Sequence, residues 1–287
     1  MYRGKKIGIV ILNYNDSETA EALCKSIHSY KTIDKIVVVD NNSSDNSYEK
    51  LLQLQTLGID IIKCDRNGGY SYGNNYGAKY LVRQYQVDII FISNPDVEFT
   101  ERFVERISSV LVSGDVKAAS GIMMNNNGQI DVHSLKANSY LHDLLSATLI
   151  MKKLCPVSKD IINNGECIDT EILPGSLFAI AADAWIEIGG FDEGVFLYYE
   201  EAILGKRLKE KGYTLKLVTS EQFTHHHSVS INKSVNRLNR VKQIYKSALY
   251  YWRTYGNVGK FKIILMKVVF AYGILMRKIV FKVWKMG

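Results

Sequence analysis

The chain has 287 residues, of which 47% are hydrophobic, so it can bury the core of one large α/β domain plus an appendage, and two equal domains are disfavoured. Cys24, Cys64, Cys155 and Cys167 lack zinc-type spacing, which argues against a disulfide framework or a structural metal cluster and favours a reducing cytosol. Thirteen of the 36 basic residues and none of the 29 acidic ones lie from Gln222 onward, so a body with 23 basic and 29 acidic residues precedes a strongly basic tail. This asymmetry predicts a polyanionic partner for the tail.

Apolar β-branched runs alternate with helical patterns in the first hundred residues. The predicted strands are 7–12, 35–39, 59–62 and 89–93, and the predicted helices are 17–30, 45–57 and 72–85. The first run is too short for a signal-peptide core and passes directly into polar residues. Continuous apolar strands separated by helices predict an α/β fold with a mostly parallel, Rossmann-like sheet, in which ligands bind beyond the carboxyl ends of the strands.

The second half of the chain has a less regular pattern. Thr100 is the predicted N-cap of a helix that runs to Val112, and the stretch 125–170 predicts loops with a short helix or two. Asp183 is the predicted cap of a further short helix. Residues 200–211 predict another helix, which Gly212 stops, and the apolar run 215–218 follows it.

Polar clusters follow several of the predicted strands. Asp40 ends the strand 35–39, where its carboxylate could accept hydrogen bonds from the base or ribose of a nucleotide. We favour this ligand-binding interpretation for Asp40, because capping the next helix does not need a carboxylate five residues before it. For Asp45 helix capping and ligand binding are equally weighted.

Two further segments could approach a phosphate or a metal. The glycine-rich run from Asn67 to Gly77 precedes a helix and would allow close backbone approach to a phosphate or sugar, although it lacks a dinucleotide fingerprint and could be a simple turn. Asp96, in the sequence Asn94-Pro95-Asp96, could hold Mg²⁺ or Mn²⁺ at a strand end, or the tripeptide could be a β-turn.

Glu200 and Glu201 are adjacent carboxylates at a predicted helix N-terminus. Like charge and partial burial would raise one carboxyl pKa toward neutrality, as a general base requires, although acidic residues also favour a first helical turn through the helix dipole. Residues 225–227 are three consecutive histidines, one of which could complete a Mn²⁺ site begun by Asp96.

Together these segments resemble the inverting glycosyltransferase family 2, which has the GT-A fold, over about residues 6–230. The matching segments are Ile11 to Asn15, Val37 to Asp45, Asn67 to Asn75 with Gly77, Asn94 to Asp96, Pro174-Gly175, Gly189 to Glu193, Tyr199 to Glu201, and a histidine near Ser230. Asn94 replaces the first acidic residue of the Asp-x-Asp sequence that is usual in this family. The resulting Asn-Pro-Asp sequence resembles the branch that contains many bacterial rhamnosyltransferases. Glu201 stands where aspartate is commoner, and Ile203 occupies a position that is often acidic.

The resemblance implies a role for each matching residue. For nucleotide-sugar binding it implies Asn13, Asn15, Asp40, Asn42, Asp45, Asn67, Gly69, Asn75 and Asp96. For the divalent metal, Mn²⁺ or Mg²⁺, it implies Asp96 with His225 or His226. For the acceptor site it implies Gly175, Asp192 and Tyr199. Glu201, with Glu200 beside it, would be the catalytic base that deprotonates the acceptor hydroxyl as its oxygen attacks the anomeric carbon.

The tail combines lysines with apolar residues. At 100° per residue, Lys260, Lys267 and Lys278 fall on one side of a helix whose opposite side is apolar, and its longest apolar run is too short to span a bilayer. We therefore divide the chain into a catalytic domain, 1–232, with a nucleotide-binding half to about residue 99, and a helical tail, 233–287, that lies on an anionic membrane. The alternative is a helix packed on the catalytic domain. Nucleic acid is disfavoured because the tail is too apolar.

The predicted function is transfer of a sugar from dTDP-rhamnose or a UDP-hexose to a lipid-linked glycan at the inner face of a bacterial membrane, in polysaccharide, capsule or cell-wall synthesis. Two alternatives remain. A sugar-nucleotide nucleotidyltransferase would need a glycine-rich loop with a basic residue after the first strand, where this chain has Asn13-Tyr14-Asn15. A catalytically silent membrane scaffold would bind the same ligands without turnover.

Overall fold

A computed structural model describes residues 1–112, 114–131, 135–148, 167–226 and 237–283. The strands are β1 Ile7–Asn13, β2 Lys35–Asp40, β3 Asp60–Lys63, β4 Ile89–Ser93, β5 Val97–Glu98, β6 Val116–Met124, β7 Cys167–Thr170, β8 Leu177–Ala181 and β9 Thr214–His225. The helices are α1 Ser17–Ile27, α2 Ser47–Leu51, α3 Tyr70–Tyr85, α4 Glu101–Val112, α5 Tyr140–Ser146, α6 Ala182–Ile188, α7 Glu200–Glu210, α8 Arg237–Thr254 and α9 Lys260–Val283, with a 3₁₀ turn at Leu52–Leu57. The predicted strands and helices of the first hundred residues are thus present, with ends shifted by a few residues.

The strands form one sheet in the order β3-β2-β1-β4-β8-β6-β9-β5, and β7 pairs with β9. Strands β3, β2, β1 and β4 are mutually parallel, as the alternation of apolar runs and helices predicts. Beyond β4 the sheet is mixed, because β8 runs antiparallel to both β4 and β6, while β6 and β9 are parallel. The central sheet is therefore parallel from β3 to β4 and mixed beyond β4.

Side chains of the central strands alternate between two buried layers. Ile9 and Ile11 belong to a core beneath α1, α2 and α4, whereas Val10 and Val39 belong to a core beneath α3 and α6. This two-residue period, with apolar residues on both faces, explains why the strands read as continuous apolar runs. The carboxyl ends of β1 and β2 are held level by the pairing of Asn13 with Asp40.

Two local predictions differ from the structure, and the apolar run 215–218 is part of a longer strand. The helix predicted at 45–57 is a short α-helix that tightens into the 3₁₀ turn and ends at Gly58, which has a φ of 76°. Asp183 does not cap α6 from outside: it lies within the first turn, where its carboxylate pairs with Lys117 at 2.7 Å. The run 215–218 is only part of β9, which extends to His225 because it pairs with β6 on both sides of a register shift.

The tail helices α8 and α9 pack on the rest of the chain. Their side chains form a third buried cluster in which Tyr251, Met266 and Phe270 meet Ala147 and Ile203. Among the described residues, no helix has the length and apolarity needed to cross a bilayer. The proposed boundary between residues 232 and 233 lies outside the described residues. The inner sides of α8 and α9 are therefore packed on the rest of the chain, as the alternative prediction for the tail stated.

Candidate active site

The turns after β1 and β2 form one hydrogen-bonded unit at the carboxyl edge of the sheet. Asp40 is fully buried, and its carboxylate accepts hydrogen bonds from the Ser43 amide at 2.9 Å, the Ser43 hydroxyl at 2.6 Å and Asn13 Nδ2 at 3.0 Å. These bonds hold the turn in place. Asp40 thus organises the surface where the nucleotide is predicted, and direct contact with a ligand stays a prediction.

The outer part of this surface is built from asparagines in the left-handed region. Asn15 has a φ of 55° and Asn42 a φ of 57°, a conformation that asparagine tolerates better than most residues. Asn15 Oδ1 accepts the Ser44 amide at 2.8 Å, which joins the two turns. Asp45 accepts the Ser47 amide at 2.9 Å and so supports the start of α2, where Asn46 is the N-cap. Asp45 is therefore not the N-cap itself but contacts the first residue of the helix, and its nucleoside contact stays a prediction.

The glycine-rich segment bridges the nucleotide side of the cleft to the loop that precedes α7. Asn41 Nδ2 donates to Asn67 Oδ1 at 3.2 Å and to the Gly69 carbonyl at 3.0 Å. Gly69 has a φ of 88°, and a Cβ there would lie 2.2 Å from the Phe196 carbonyl oxygen. The next amide, that of Tyr70, donates to the same carbonyl at 2.9 Å. A glycine is therefore required at 69 to let the two loops meet.

Asn75 performs a second bridging role. Its Nδ2 donates to the Phe191 carbonyl and to Glu193 Oε1, and its Oδ1 accepts the Phe191 amide at 2.8 Å. Both ends of this buried amide are therefore bonded to the loop after α6. The donor-pocket role predicted for Asn75 stays a prediction, while its contacts join α3 to that loop.

Asp96 and His225 meet because β5 pairs antiparallel with β9, with Val97 opposite His225. His225 Nε2 lies 3.2 Å from Asp96 Oδ1, and both side chains are largely buried. His226 points elsewhere, with Nδ1 2.8 Å from Asn126 Oδ1 and Nε2 3.3 Å from Glu98 Oε2. Of the two predicted metal histidines, the structure brings only His225 to Asp96, since neighbouring residues of a strand face opposite sides.

One carboxylate and one imidazole fit a divalent cation that takes its other ligands from a diphosphate and water. Imidazole suits Mn²⁺ better than Mg²⁺, which prefers oxygen ligands. No group of three or more His, Cys, Asp or Glu side chains that could hold a metal occurs within the described part of the chain. Asp96 and His225 would therefore form a partial site that a bound nucleotide diphosphate completes.

Glu200 and Glu201 begin α7 and are enclosed by protein. Burial, and then the charge of Glu201, raises the pKa of Glu200 to about 8, and burial also raises the pKa of Glu201. Glu200 is 3% exposed, and its Oε2 has no hydrogen-bond partner among the described residues. Glu201 is more accessible than Glu200. The pKa of each carboxyl is therefore raised, as predicted from burial and like charge.

Gly175 makes room for this pair. A Cβ on Gly175 would lie 2.2 Å from Glu201 Oε1. The carbonyl of Gly175 accepts the hydroxyl of Tyr70 at 2.5 Å, and the pKa of Tyr70 is raised by burial and by the charges of Glu201 and Glu200. The Asn94 amide donates to the Ser176 carbonyl at 2.7 Å. The loop that leads to Asp96 is therefore fastened to the segment that touches Glu201.

These contacts bring the three distant carboxylates to one edge of the sheet. Asp40 ends β2, Asp96 follows β4, and Glu201 is reached from Asn94 through Ser176 and Gly175. Strands β1, β2 and β4 are parallel neighbours, so their carboxyl ends open on the same side. This edge is the ligand-binding edge expected of such a sheet.

The other two predicted acceptor residues face the tail. Asp192 accepts hydrogen bonds from the hydroxyls of Tyr250 and Tyr255, and Tyr199 packs on Tyr251 with ring centroids 5.6 Å apart. Burial alone would raise the pKa of Asp192, but hydrogen bonds from Tyr255, the Gly194 amide and Tyr250 hold it below the ordinary value. Asp192 and Tyr199 thus have structural contacts, and their acceptor role stays a prediction.

Several residues of this edge were not singled out as functional from the sequence. Asn41 and Tyr70 lie inside the matching segments Val37 to Asp45 and Asn67 to Asn75, but the sequence predicts no role for either. Tyr250 and Tyr255 lie in the basic tail, where no motif marks them. The excess of tyrosine in an otherwise basic segment was the only available signal.

Comparison with known proteins supports one family. The model of glycosyl transferase family 2 matches residues 8–161, more than half of the chain. A hexosyltransferase of low-salt glycan biosynthesis, Agl10 from Haloferax volcanii, is 26% identical over 68% of this chain and 59% of its own length. The rhamnosyltransferase WbbL of Escherichia coli is 22% identical over 76% of this chain and 82% of its own length.

Two solved structures share the fold. GalNAc-T7, determined with UDP, GalNAc and Mn²⁺, gives a TM-score of 0.62 at 14% identity, covering 94% of this chain and 55% of that one. The mannosyltransferase PcManGT from Pyrobaculum calidifontis, determined with GDP-Man and Mn²⁺, gives 0.59 at 16% identity, covering 94% and 70%. The chain thus spans little more than half of GalNAc-T7 and of the Haloferax enzyme. The expected GT-A fold is confirmed, and the chain belongs to glycosyl transferase family 2.

Proposed function

We propose that this protein transfers a sugar from a nucleotide-sugar donor to an acceptor hydroxyl with inversion of the anomeric configuration. The observation that carries this proposal is the buried Glu200–Glu201 pair, which lies at the same sheet edge as the turns of Asn13 and Asp40. Carboxylates with raised pKa suit proton abstraction near neutral pH. The edge therefore combines a surface for a nucleotide with a base for an acceptor.

Glu201 is the proposed base. A base must reach the substrate, and Glu201 is the more accessible member of the pair. Burial raises the pKa of Glu201, and burial followed by the charge of Glu201 raises the pKa of Glu200. The unpartnered Oε2 of Glu200 can exchange a hydrogen bond with a ligand. When Glu201 takes the acceptor proton, the acceptor oxygen attacks the anomeric carbon and the nucleoside diphosphate leaves from the opposite face.

The divalent cation would be held by Asp96 and His225. Such a cation supplies positive charge that stabilises the departing diphosphate. The side chain of Asp96 is 6% exposed, so its carboxylate would face the diphosphate from a nearly closed position. The antiparallel pairing of β5 with β9 keeps His225 beside it.

The proposed donor is dTDP-rhamnose or a UDP-hexose, and the proposed acceptor is a lipid-linked glycan in bacterial polysaccharide, capsule or cell-wall synthesis. Two relatives support this class of reaction, since one is named a rhamnosyltransferase and the other a hexosyltransferase of glycan biosynthesis. The position of Asn94 in the Asn-Pro-Asp sequence supports the rhamnose branch.

A donor screen tests the reaction. The purified protein, with Mn²⁺ or Mg²⁺, is incubated with UDP-, dTDP- and GDP-sugars, and released nucleoside diphosphate and pyrophosphate are both measured. We expect nucleoside diphosphate, and a loss of at least about 100-fold in turnover for Glu201→Gln and Asp96→Ala. Glu210→Gln at the far end of α7 is the matched control and should keep wild-type turnover.

The same screen separates the alternatives. Release of pyrophosphate would support a nucleotidyltransferase. Equal low rates in wild type, Glu201→Gln and Asp96→Ala, with nucleotide-sugar still bound, would support a silent scaffold and contradict the mechanism.

We also propose that α9 holds the protein on the inner face of the cell membrane. Its inner side buries Met266 and Phe270, whereas its outer side exposes apolar side chains. The exposed set is Phe261, Ile264, Leu265, Val268, Tyr272, Leu275 and Ile279, which we call the outer stripe. At 100° per residue the outer stripe covers an arc of about 100°, opposite the buried side, and lysines flank it. An apolar stripe beside basic residues matches an anionic bilayer surface.

Vesicle binding tests this location. The full chain is sedimented with phosphatidylglycerol vesicles or with phosphatidylcholine vesicles. We expect stronger binding to the anionic vesicles, and about tenfold weaker binding when Val268 and Leu275 are both changed to Glu. The control carries Glu at Leu57 and Ile186, which are exposed apolar residues elsewhere on the chain. Equal loss of binding in both double variants would contradict a specific role for the outer stripe.

A further inference from the structure

The loop that leads into the base pair has an uncommon backbone. Tyr198 has a φ of 70° and Tyr199 a φ of 73°, and Glu200 follows directly. Two consecutive non-glycine residues rarely adopt the left-handed region, and they keep it only where surrounding contacts determine it. The position of Glu200 and Glu201 therefore depends on what holds residues 192–199, which we call the base loop.

One end of the base loop is held by two tyrosines of the α8 segment. The hydroxyl of Tyr250 lies 2.9 Å from Asp192 Oδ2, and the hydroxyl of Tyr255 lies 2.5 Å from the same oxygen. The Gly194 amide donates to Asp192 Oδ1 at 2.8 Å. Hydrogen bonds to a charged carboxylate are stronger than those between neutral groups. The two hydroxyls thus fix the start of the base loop.

The other end is held by the preceding turns of α8. The Ser247 hydroxyl donates to the Leu197 carbonyl at 2.8 Å, and Arg240 Nε donates to the Tyr198 hydroxyl at 3.1 Å. The ring of Tyr199 packs against Tyr251. Contacts to α8, or to Tyr255 just after it, thus hold both ends of the base loop, up to the residue before Glu200.

We propose that α8 is a positioning element of the active site, with Tyr250, Tyr255 and Ser247 as positioning residues that set the location of Glu200 and Glu201. This proposal rests on the proposed function, in which Glu201 is the base. It gives the first tail helix a role in the chemistry that is separate from any membrane contact of α9. The side chains of Asn13, Asp40 and Asn15 bond within the turns of β1 and β2, so donor binding should depend little on α8.

The test removes two hydroxyls and keeps both rings. In Tyr250→Phe/Tyr255→Phe we expect kcat to fall about tenfold or more while the donor KM changes by less than about twofold, since a small displacement of a catalytic group lowers rate more than binding. The matched control is Tyr80→Phe/Tyr85→Phe. Tyr80 and Tyr85 also donate to one carboxylate, that of Asp60, at 2.9 and 2.5 Å, but far from the site. This control should keep both constants.

Amide hydrogen exchange of the base loop gives a second readout that needs no turnover. Exchange at residues 194–199 should accelerate in Tyr250→Phe/Tyr255→Phe and in the milder Ser247→Ala, and stay unchanged in the control. Unchanged exchange together with unchanged kcat would overturn the positioning role. If exchange accelerates in Tyr250→Phe/Tyr255→Phe but the wild-type protein shows no sugar transfer that depends on Glu201, the positioning role stands and the proposed function is rejected.

Discussion

The two sides of the cleft differ in how their polar groups are held. On the nucleotide side, Asp40, Asn13 and Ser43 bond to one another within a span of about thirty residues. On the base side, Glu200 and Glu201 are buried carboxylates with raised pKa values, and Glu200 keeps an unpartnered oxygen. On the first side the carboxylate of Asp40 has its hydrogen-bond partners within the protein, whereas the second side keeps carboxylates whose burial is energetically unfavourable, as the proposed base would require.

The largest effect that would test this difference is expected from Gly175→Ala. The added methyl group would occupy the place of Glu201 Oε1, so the Glu201 side chain must move, although the end of a side chain can move at little cost to folding. We expect kcat to fall about 100-fold with the melting temperature nearly unchanged. Steady-state kinetics and thermal unfolding provide the two measurements.

Gly259→Ala is the control, because no atom lies within 4 Å of the added Cβ there. A Gly175→Ala protein with wild-type kcat would show that Glu201 acts from another position or is not the base. The proposed difference between a binding side and a catalytic side of the cleft would then be contradicted.

A smaller catalytic effect with a larger stability effect is expected from Asp40→Ala. The change leaves Asn13 Nδ2 and the Ser43 amide without their buried acceptor, which should lower the free energy of unfolding by about 2–4 kcal/mol. We expect the donor KM to rise about tenfold with kcat changed less. Urea unfolding and donor titration measure these effects.

Asp169→Ala serves as the comparison for Asp40, because Asp169 forms an exposed ion pair with Lys216. Such pairs contribute about 0–1 kcal/mol. If both variants lost the same stability, the turn at Asp40 would not be the hydrogen-bonded unit described above.

The smallest expected effect is a pH dependence of the folding stability that arises from Glu200. Glu200 has an ordinary pKa of 4.5 and a folded pKa of about 8, so the folded state binds more protons between these values and stability falls as pH rises through this window. Glu200→Gln should remove part of this decline and melt about 2–5 °C higher than wild type at pH 8, with little difference below pH 4.5.

Thermal unfolding across pH measures the effect, with Glu210→Gln on the same helix as control. Parallel stability curves for wild type and Glu200→Gln would contradict the raised pKa.

The two sides also differ in how far the sequence could predict them. The turns of Asn13 and Asp40 follow strongly apolar strands, so local pattern places both at the ligand-binding edge. Glu200 and Glu201 were recognisable as adjacent carboxylates at a helix N-terminus, whereas Gly175 could be assigned only through resemblance to a family, since nothing local indicates that it touches Glu201. The partners of Asp192 lie 58 and 63 residues away, and side-chain pairing at that separation leaves no periodic signal.

The same reasoning applies to the fold. Apolar runs separated by helices predict the parallel strands at one end of the sheet. The antiparallel position of β8 between β4 and β6 depends on tertiary packing, which the local pattern does not encode. Periodicity also showed that α9 has basic and apolar sides. It could not show that one apolar side is covered by the protein and the other is open, because both have the same composition.

The two apolar sides of α9 determine how the outer stripe could be removed without loss of the packed core. Phe270 stacks on Tyr245 with ring centroids 4.3 Å apart, so shortening the chain before Lys260 would uncover the first tail helix while removing the outer stripe. Polar replacements confined to Val268, Tyr272 and Leu275 would leave the Phe270 contact in place. Surface redesign, not truncation, is therefore the change that removes the outer stripe and keeps α8 covered.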